Sequence, residues 1–194
     1  MKSKYRYIVG VDEVGRGPVA GPVTVGVVCV EREFPAGFFR GIKDSKKLSA
    51  KKREEWVKKA VEKKIKYVVT SVSSDMIDKI GINPAISLAM EKSLQKIDAD
   101  PKECLVLLDG GLRAPVQYLN QKTIIRGDEK ESVIALASIL AKVNRDKKME
   151  KFARVYGGYG FERHKGYGTR AHMKKIRELG MCKIHRRSFL KKMK

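Results

Sequence analysis

Cysteine and histidine are scarce in this chain of 194 residues, which contains three of each. The cysteines are odd in number and no pair has the spacing of zinc ligands, which argues against a disulfide framework and a zinc site. Cys29 and Cys104 lie in apolar, strand-like runs, which indicates buried, reduced thiols of a cytoplasmic protein. The histidines stand among basic residues rather than near a carboxylate motif, which disfavours catalysis by a histidine acid–base pair.

Long apolar runs are also missing. No run approaches the roughly 20 apolar residues that a membrane-spanning helix needs, and the first one breaks at Asp12 and Glu13, too early for a signal peptide. A content of 42% apolar residues is still sufficient for a proper core. We therefore expect one cytoplasmic domain over residues 1–194, a monomer that does not bind membranes.

Acidic residues number 22 against 43 Lys and Arg, so the formal net charge is +21. Residues 146–194 contain 16 Lys or Arg and only 4 Asp or Glu, which predicts a basic substrate-binding segment over about 157–194. Such a charge favours a polyanionic partner and binding that weakens steeply with salt. A passive RNA- or ribosome-binding module has the same property, so charge indicates the partner and not the reaction.

Apolar runs separated by turns predict a mixed sheet covered by helices, an α/β fold. The first two strands are joined by a Gly/Pro turn and are expected to be antiparallel neighbours, buried on both faces. Ser49 is a plausible N-cap for the first helix, and Asn83–Pro84 a start or kink in the second. The expected strands are 5–11, 22–30, 65–72, 105–108 and 123–125, and the expected helices are about 50–64, 75–97, 132–156 and 171–179.

Four acidic residues stand at the ends of these elements. Asp12 and Glu13 follow the first strand, Asp109 closes a later strand, and Asp128 precedes the long apolar helix. Taken singly they also fit a solvated acidic turn, an Asp-Gly turn and a first-turn helix acid. Together they would supply the oxygen ligands that two divalent cations require next to a nucleic-acid phosphate.

Two Gly-rich segments suggest contacts with nucleic acid. The turn at Gly15–Gly17 fails as a dinucleotide fingerprint because Pro18 does not open a helix, but its backbone could hydrogen-bond a ribose 2′-hydroxyl, or simply connect two strands. Tyr167 lies among glycines and bases, where its ring could stack on a base or sugar, or pack within the loop. The stretch 185–189 fits either a phosphate-contacting segment or a solvated tail, and Phe189 favours an ordered one.

Seven motifs, in this order along residues 7–189, together resemble the ribonuclease HII family. The motifs are Val11–Pro18, Asp44–Ser49, Leu107–Gly110, Gly127–Asp128, Ala137–Asp146, His164–Thr169 and His185–Phe189. Leu136 departs from the usual run of small residues, which raises a question of local packing. The chain reaches its first strand without the additional N-terminal domain typical of ribonuclease HIII, which favours HII.

The resemblance implies a ribonuclease H-like fold and cleavage of the RNA strand of RNA–DNA hybrids and of single ribonucleotides in duplex DNA. It implies two Mg²⁺ or Mn²⁺ ions and products with 3′-hydroxyl and 5′-phosphate ends. By motif, Asp12, Glu13, Asp109 and Asp128 correspond to catalytic metal ligands, Gly15, Arg16 and Gly17 to the turn that reads the 2′-hydroxyl, and Tyr167 to a tyrosine that packs on the next deoxyribose. Residues near the substrate path are Lys46, Ser138, Lys142, Arg145 and Arg186. A DNA junction resolvase of similar fold is a further alternative.

Overall fold

The structure is a computed structural model that describes residues 5–42 and 48–191, so Lys46 lies outside the described residues. Its centre is one mixed sheet of five strands in the order β3-β2-β1-β4-β5. The strands are β1 (Tyr7–Val14), β2 (Val23–Glu31), β3 (Lys66–Val72), β4 (Cys104–Asp109) and β5 (Gln121–Ile124). β2 is antiparallel to β1 and β3, whereas β1, β4 and β5 are mutually parallel. The expected α/β fold is confirmed.

Helices cover both faces of the sheet. They are α1 (Ala50–Glu62), α2 (Ser74–Ile80), α3 (Ile82–Lys96), α4 (Gly127–Lys130), α5 (Ser132–Val155), α6 (Phe161–His164), α7 (Arg170–Leu179) and α8 (Arg187–Leu190). As expected, the Ser49 hydroxyl caps α1 by accepting a hydrogen bond from the Lys52 N–H. The helical stretch expected over 75–97, with a start or kink at Asn83–Pro84, is divided into two helices, and α3 begins at Ile82. The break falls at Gly81, with φ of 85°, because Pro84 fits in the first turn of α3, where its missing N–H is not needed.

Two hydrophobic clusters, one on each face of the sheet, form the core. Val9 and Val11 of β1 pack with α3 on one face, while neighbouring Ile8 packs with α5 on the other. Successive residues of a strand point to opposite faces, so both strands are apolar over long runs, 7–11 in β1 and 25–30 in β2, because both faces are covered there. Leu136 is fully buried in the α5 cluster, so the packing accommodates this departure.

The long helix α5 lies directly on β1. A Cβ atom at Gly10 would collide with the backbone of Val133, so glycine permits this close approach of helix and strand. The first half of α5 is buried almost all round, as its composition predicts. The helix therefore carries Ser138 and Lys142 to the end of the sheet where β1 and β4 finish.

Residues 182–189 pack against the first turn of the chain. Ala20 forms an isolated antiparallel bridge with His185, and the Arg186 N–H donates to the Val19 carbonyl. Phe189 packs against the α3 cluster, and the Asp78 carboxylate accepts hydrogen bonds from the backbone at positions 187 and 188. This segment is ordered rather than a solvated tail.

Cys29 and Cys104 are buried, and burial raises the pKa of these thiols to about 12 and about 11, as expected for inert residues. Across residues 5–42 and 48–191, no helix is both long enough and apolar enough to cross a membrane.

Candidate active site

Parallel pairing of β1 and β4 brings three carboxylates to one end of the sheet. Val11 pairs with Leu108, and Asp12 and Asp109 follow directly after these partners at the carboxyl ends of their strands, where parallel sheets assemble their sites. Both line a cavity of about 400 Å³ with Glu13. The described lining residues are Asp12, Glu13, Val14, Gly15, Arg16, Gly17, Arg53, Asp109, Ser138, Lys142 and Tyr167.

The electrostatic environment of Asp12 is unfavourable to its negative charge. Its side chain is 4% exposed, and burial, together with the charges of Asp109 and Glu13, raises its pKa to about 8. A side-chain hydrogen bond from Ser138 and one from the Glu13 N–H, at 2.7 Å, oppose this rise only in part. Burial likewise raises the pKa of Glu13, and Arg16 opposes that change. The site thus gathers more negative charge than its protein partners compensate.

Asp109 is held by the backbone that follows β5. Its Oδ1 atom accepts a hydrogen bond of 2.6 Å from the Gly127 N–H, which ties the end of β4 to α4. Asp128 is the next residue and is only 1% exposed, but it is not among the residues lining the cavity. It belongs to the separate short helix α4 and not to the first turn of α5. The structure therefore brings together three of the four expected carboxylates in one cavity, with the fourth behind Gly127.

The donor atoms fit a hard divalent cation. Among the described residues, no group of three or more His, Cys, Asp or Glu is arranged so that it could hold a metal ion as it stands. The acidic side chains of the cavity nevertheless offer oxygen atoms only, which suits Mg²⁺ or Mn²⁺ and not zinc. A bound cation would also relieve the charge repulsion that contributes to the raised pKa of Asp12.

The turn at residues 15–17 is held from behind by Arg186. The guanidinium of Arg186 donates hydrogen bonds to the carbonyls of Gly15 at 2.6 Å, Arg16 at 3.0 Å and Gly21 at 3.0 Å. In a trans peptide the carbonyl and the following N–H point in opposite directions, so the N–H groups of Arg16 and Gly17 face away from Arg186. The turn thus directs two backbone donors away from the protein interior.

Arg145 supports the same turn from α5. Its guanidinium donates to the carbonyls of Pro22 at 2.9 Å, Lys165 at 3.0 Å and Ala20 at 3.3 Å. Gly15 adopts φ of 91° above it, and a Cβ there would collide with the Arg145 side chain, so both the angle and the space require glycine.

Arg145 and Arg186 were expected among the substrate-binding residues, but neither is among the described residues that line the cavity. Arg145 and Arg186 are 0% exposed, and their donors bind backbone carbonyls. Burial lowers the pKa of both, that of Arg186 to about 9. A sequence shows the charge of an arginine but not the direction of its side chain. A basic motif such as 185–189 therefore suggests contacts with phosphate even when its arginine is buried.

Comparison with known proteins identifies the family. A family profile described as Ribonuclease HII matches residues 9–192. The chain belongs to the ribonuclease HII family. It is accordingly a ribonuclease H-type hydrolase, as the motif resemblance predicts.

Similar curated proteins named Ribonuclease HII include one from Caldicellulosiruptor saccharolyticus, 47% identical over 98% of this chain and 90% of that protein. Another is from Endomicrobium trichonymphae, 43% identical over 94% of this chain and 84% of that protein. Among solved structures, the ribonuclease H2 of Pyrococcus horikoshii has a TM-score of 0.75 at 26% identity and 96% coverage of both chains. The RNase HII of Archaeoglobus fulgidus, solved in a complex with PCNA, has a TM-score of 0.73 at 26% identity and 93% coverage of both.

Three exposed or half-buried side chains complete the cavity of this ribonuclease HII family member. Tyr167 is 46% exposed and lines it, as its motif predicts. Lys142 lines it too and forms an ion pair of 2.9 Å with Asp146. Arg16 points its side chain outward, where it bonds to Asn83 at 2.7 Å and pairs with Glu13 at 3.4 Å.

Sequence reasoning missed Arg53, which also lines the cavity and donates to the Leu48 carbonyl. It lies on α1 among several other charged residues, and nothing in the sequence distinguishes it from its neighbours. Its position depends on how α1 packs against α5.

Proposed function

We propose that this protein is a metal-dependent endonuclease that cleaves the RNA strand of RNA–DNA hybrids and single ribonucleotides embedded in duplex DNA. The observation that carries the proposal is the shared cavity, in which three carboxylates face a backbone turn and a tyrosine within a chain of net charge +21. Carboxylates on a basic protein that meets phosphates require cations between them.

Asp12, Glu13 and Asp109 are the residues that would hold Mg²⁺ or Mn²⁺, with Asp128 as a fourth acid beside Gly127. When bound, a pair of such ions lowers the pKa of an attacking water and neutralises charge at the scissile phosphate. Ser138 keeps Asp12 oriented through its hydrogen bond, and the Gly127 N–H does the same for Asp109. The products would carry 3′-hydroxyl and 5′-phosphate ends.

Backbone donors supply the means of telling RNA from DNA. The N–H groups of Arg16 and Gly17 face away from Arg186, in a turn that lines the cavity, and would donate there to a ribose 2′-hydroxyl. Because backbone N–H groups would recognise the 2′-hydroxyl, the preference for RNA over DNA depends on how rigidly the turn at residues 15–17 is held. Tyr167 offers an exposed ring for the next sugar, and Lys142 and Arg53 offer positive charge for the phosphates.

A metal-free mechanism through the 2′-hydroxyl has little support. That route usually relies on histidine as general acid or base, and none of the three histidines is among the described residues that line the cavity. A 2′,3′-cyclic phosphate arises only when the 2′-hydroxyl is the nucleophile, so this argument disfavours a cyclic product, and the 3′-hydroxyl and 5′-phosphate ends rest on the family resemblance.

Cleavage of a DNA duplex with one ribonucleotide tests the proposal. We expect incision with Mg²⁺ or Mn²⁺, none in EDTA, and loss of turnover but not of binding in Asp12→Asn. Full activity in EDTA or a cyclic phosphate product would overturn the mechanism. A junction resolvase would ignore the ribonucleotide, and a passive binder would bind without incision in every condition.

A further inference from the structure

The three histidines of the chain, far apart in sequence, meet around one phenylalanine outside the acidic cavity. The ring of Phe161 lies 5.8, 5.3 and 5.7 Å from those of His164, His172 and His185. His164 and His172 stack with centroids 4.1 Å apart, and His172 and His185 are 0% and 3% exposed. Such buried imidazoles require hydrogen-bond partners, and their partners determine where each proton resides.

The backbone around the cluster fixes a single direction for these protons. His172 Nδ1 lies 2.8 Å from the Tyr167 carbonyl, which can only accept, so Nδ1 carries the proton. His172 Nε2 is then the acceptor for His185 Nε2–H, 3.1 Å away. His185 Nδ1 in turn accepts from the Cys182 N–H at 2.9 Å. One chain of hydrogen bonds therefore runs from the Cys182 N–H through two neutral rings to the Tyr167 carbonyl.

The opposite direction is inconsistent with the same partners. His185 Nδ1 also lies 3.3 Å from the Cys182 carbonyl, but a proton on Nδ1 would oppose the Cys182 N–H, which donates to this same atom at 2.9 Å. Reversing both rings would place the lone pair of His172 Nδ1 against the Tyr167 oxygen. His164 is fixed as well, because its Nε2 donates to the Tyr159 carbonyl at 2.9 Å and its Nδ1 accepts from the Gly166 N–H.

This series of hydrogen bonds ends at the backbone of Tyr167, the tyrosine that lines the cavity. The Tyr167 N–H donates to the His164 carbonyl at 2.9 Å, and the Tyr167 carbonyl accepts from both His172 Nδ1–H and the Thr169 N–H, each at 2.8 Å. The preceding Gly166 carbonyl accepts from the N–H groups of Val19 and Ala20. Tyr167 thus has an immobilised backbone and an exposed ring.

We infer that His172 and His185 are positioning residues, which act as a pair of neutral imidazoles to hold Tyr167 toward the substrate strand. The inference rests on the proposed function for what the tyrosine contacts. Only one proton fits between the two Nε2 atoms, because protonating His172 would set two N–H donors against each other there. Protonating His185 would set its Nδ1–H against the Cys182 N–H. The titratable groups that face the pair are His164 of α6, Tyr159 before it and Cys182 after α7.

Burial keeps both rings neutral. It lowers the pKa of His172 to about 4, with the neighbouring His164 and His185 adding to the effect, and it lowers the pKa of His185. The chain of hydrogen bonds is therefore intact at pH 7.

Nitrogen-15 NMR of the histidine-labelled, unmodified chain tests the arrangement without any substrate. We expect His172 and His185 to be neutral at pH 7, His172 with its proton on Nδ1 and His185 with its proton on Nε2, when the rings are assigned by single substitutions. The His172 ring should keep this tautomer at pH 6. A His172 proton on Nε2, a His185 proton on Nδ1, or an imidazolium at either position at pH 7 would overturn the inference.

Cleavage assays test what the pair does. In His172→Phe the ratio of cleavage at a single ribonucleotide to cleavage within an RNA tract should fall about fivefold, the worth of one hydrogen bond. His172→Asn, which keeps a donor near the Tyr167 carbonyl, should lose less. In a Tyr167→Ala background His172→Phe should leave the ratio unchanged, since the two act through the same ring.

Equal losses on both substrates, or an additive loss in the double variant, would reduce the histidines to a structural role and overturn the inference. Absence of cleavage by the unmodified enzyme would instead overturn the proposed function, while the NMR result decides the direction of the hydrogen bonds independently.

Discussion

The acidic side of the cavity (Asp12, Glu13 and Asp109), here called the front, differs in its bonding from the two buried arginines behind the turn (Arg145 and Arg186), here called the back. At the front, Asp12, Glu13 and Asp109 crowd negative charges that few protein donors compensate, and the pKa values of Asp12 and Glu13 rise. At the back, Arg145 and Arg186 satisfy six backbone carbonyls. Under the proposed function the front needs cations to balance its charge, whereas the back is hydrogen-bonded without them. Substitutions at the front should therefore lower activity and spare stability, and substitutions at the back should lower stability.

The largest effect is expected at the front. Asp12→Asn should lower turnover by at least about 1000-fold, because a neutral amide cannot replace a charged metal ligand. The same change should leave the free energy of unfolding unchanged or raise it by about 1 kcal/mol, because it removes a buried, repelled charge. Turnover on a single-ribonucleotide duplex and urea unfolding at pH 8.5 without metal measure the two effects. A clear loss of stability in Asp12→Asn would contradict the conclusion that the charge of Asp12 is unfavourable in the folded protein.

At the back, Arg186→Met should destabilise the fold by about 3 kcal/mol, since three buried carbonyls lose a charged donor. Binding in EDTA should also lose its preference for a duplex with a ribonucleotide over an all-DNA duplex, because the turn at residues 15–17 is released. Arg187→Met is the matched control, since its side chain is exposed and one position away. Equal stability and equal binding preference in Arg186→Met and Arg187→Met would contradict the role of Arg186 in holding the turn.

An effect confined to acidic pH separates the histidine cluster from both regions. The pKa of His172 is about 4 in the folded protein and near 6.5 when unfolded, so both states are neutral above pH 6.5 and the stability is then complete. Below pH 6.5 the unfolded chain binds the proton first, and stability falls as the pH approaches 4, by up to about 3 kcal/mol. Urea unfolding between pH 7 and 4.5 measures this slope, which His172→Phe should reduce. An unchanged slope would mean that His172 is protonated in the folded state.

Tyr167 should show the smallest effect on stability, because its ring is 46% exposed. Tyr167→Ala should change the free energy of unfolding by less than about 1 kcal/mol, yet impair cleavage at a single ribonucleotide several-fold more than cleavage within an RNA tract. Parallel assays on the two substrates measure the difference. Equal losses would count against stacking on the deoxyribose.

Most of the sheet and the positions of Asp12 and Asp109 could be predicted because they depend on local pattern. Buried strands read as continuous apolar runs, and the residue after such a run lies at the sheet's end. The break at Gly81 was placed three residues late, because a proline stands out more in a sequence than the glycine whose φ ends a helix.

The back of the site could not be predicted from the sequence, because it depends on contacts between segments that are distant along the chain. The three histidines appear isolated in the sequence, and only the fold of residues 159–185 brings them together. Arg186 and Arg145 carry the same charge as the surface lysines around them, so their burial could not be read from type or spacing. Asp128 was expected in the cavity because its motif is strong, but the local path of α4 decides where its side chain lies.

The hydrogen bond between Arg186 and the Arg16 carbonyl spans 170 positions in the chain. During synthesis the ribosome releases β1, β2 and the acidic residues long before the segment that steadies their neighbouring turn. A nascent polypeptide would therefore possess the acids that we propose as metal ligands before the turn proposed to recognise ribose is held in place, and full selectivity would emerge only after translation has passed this arginine.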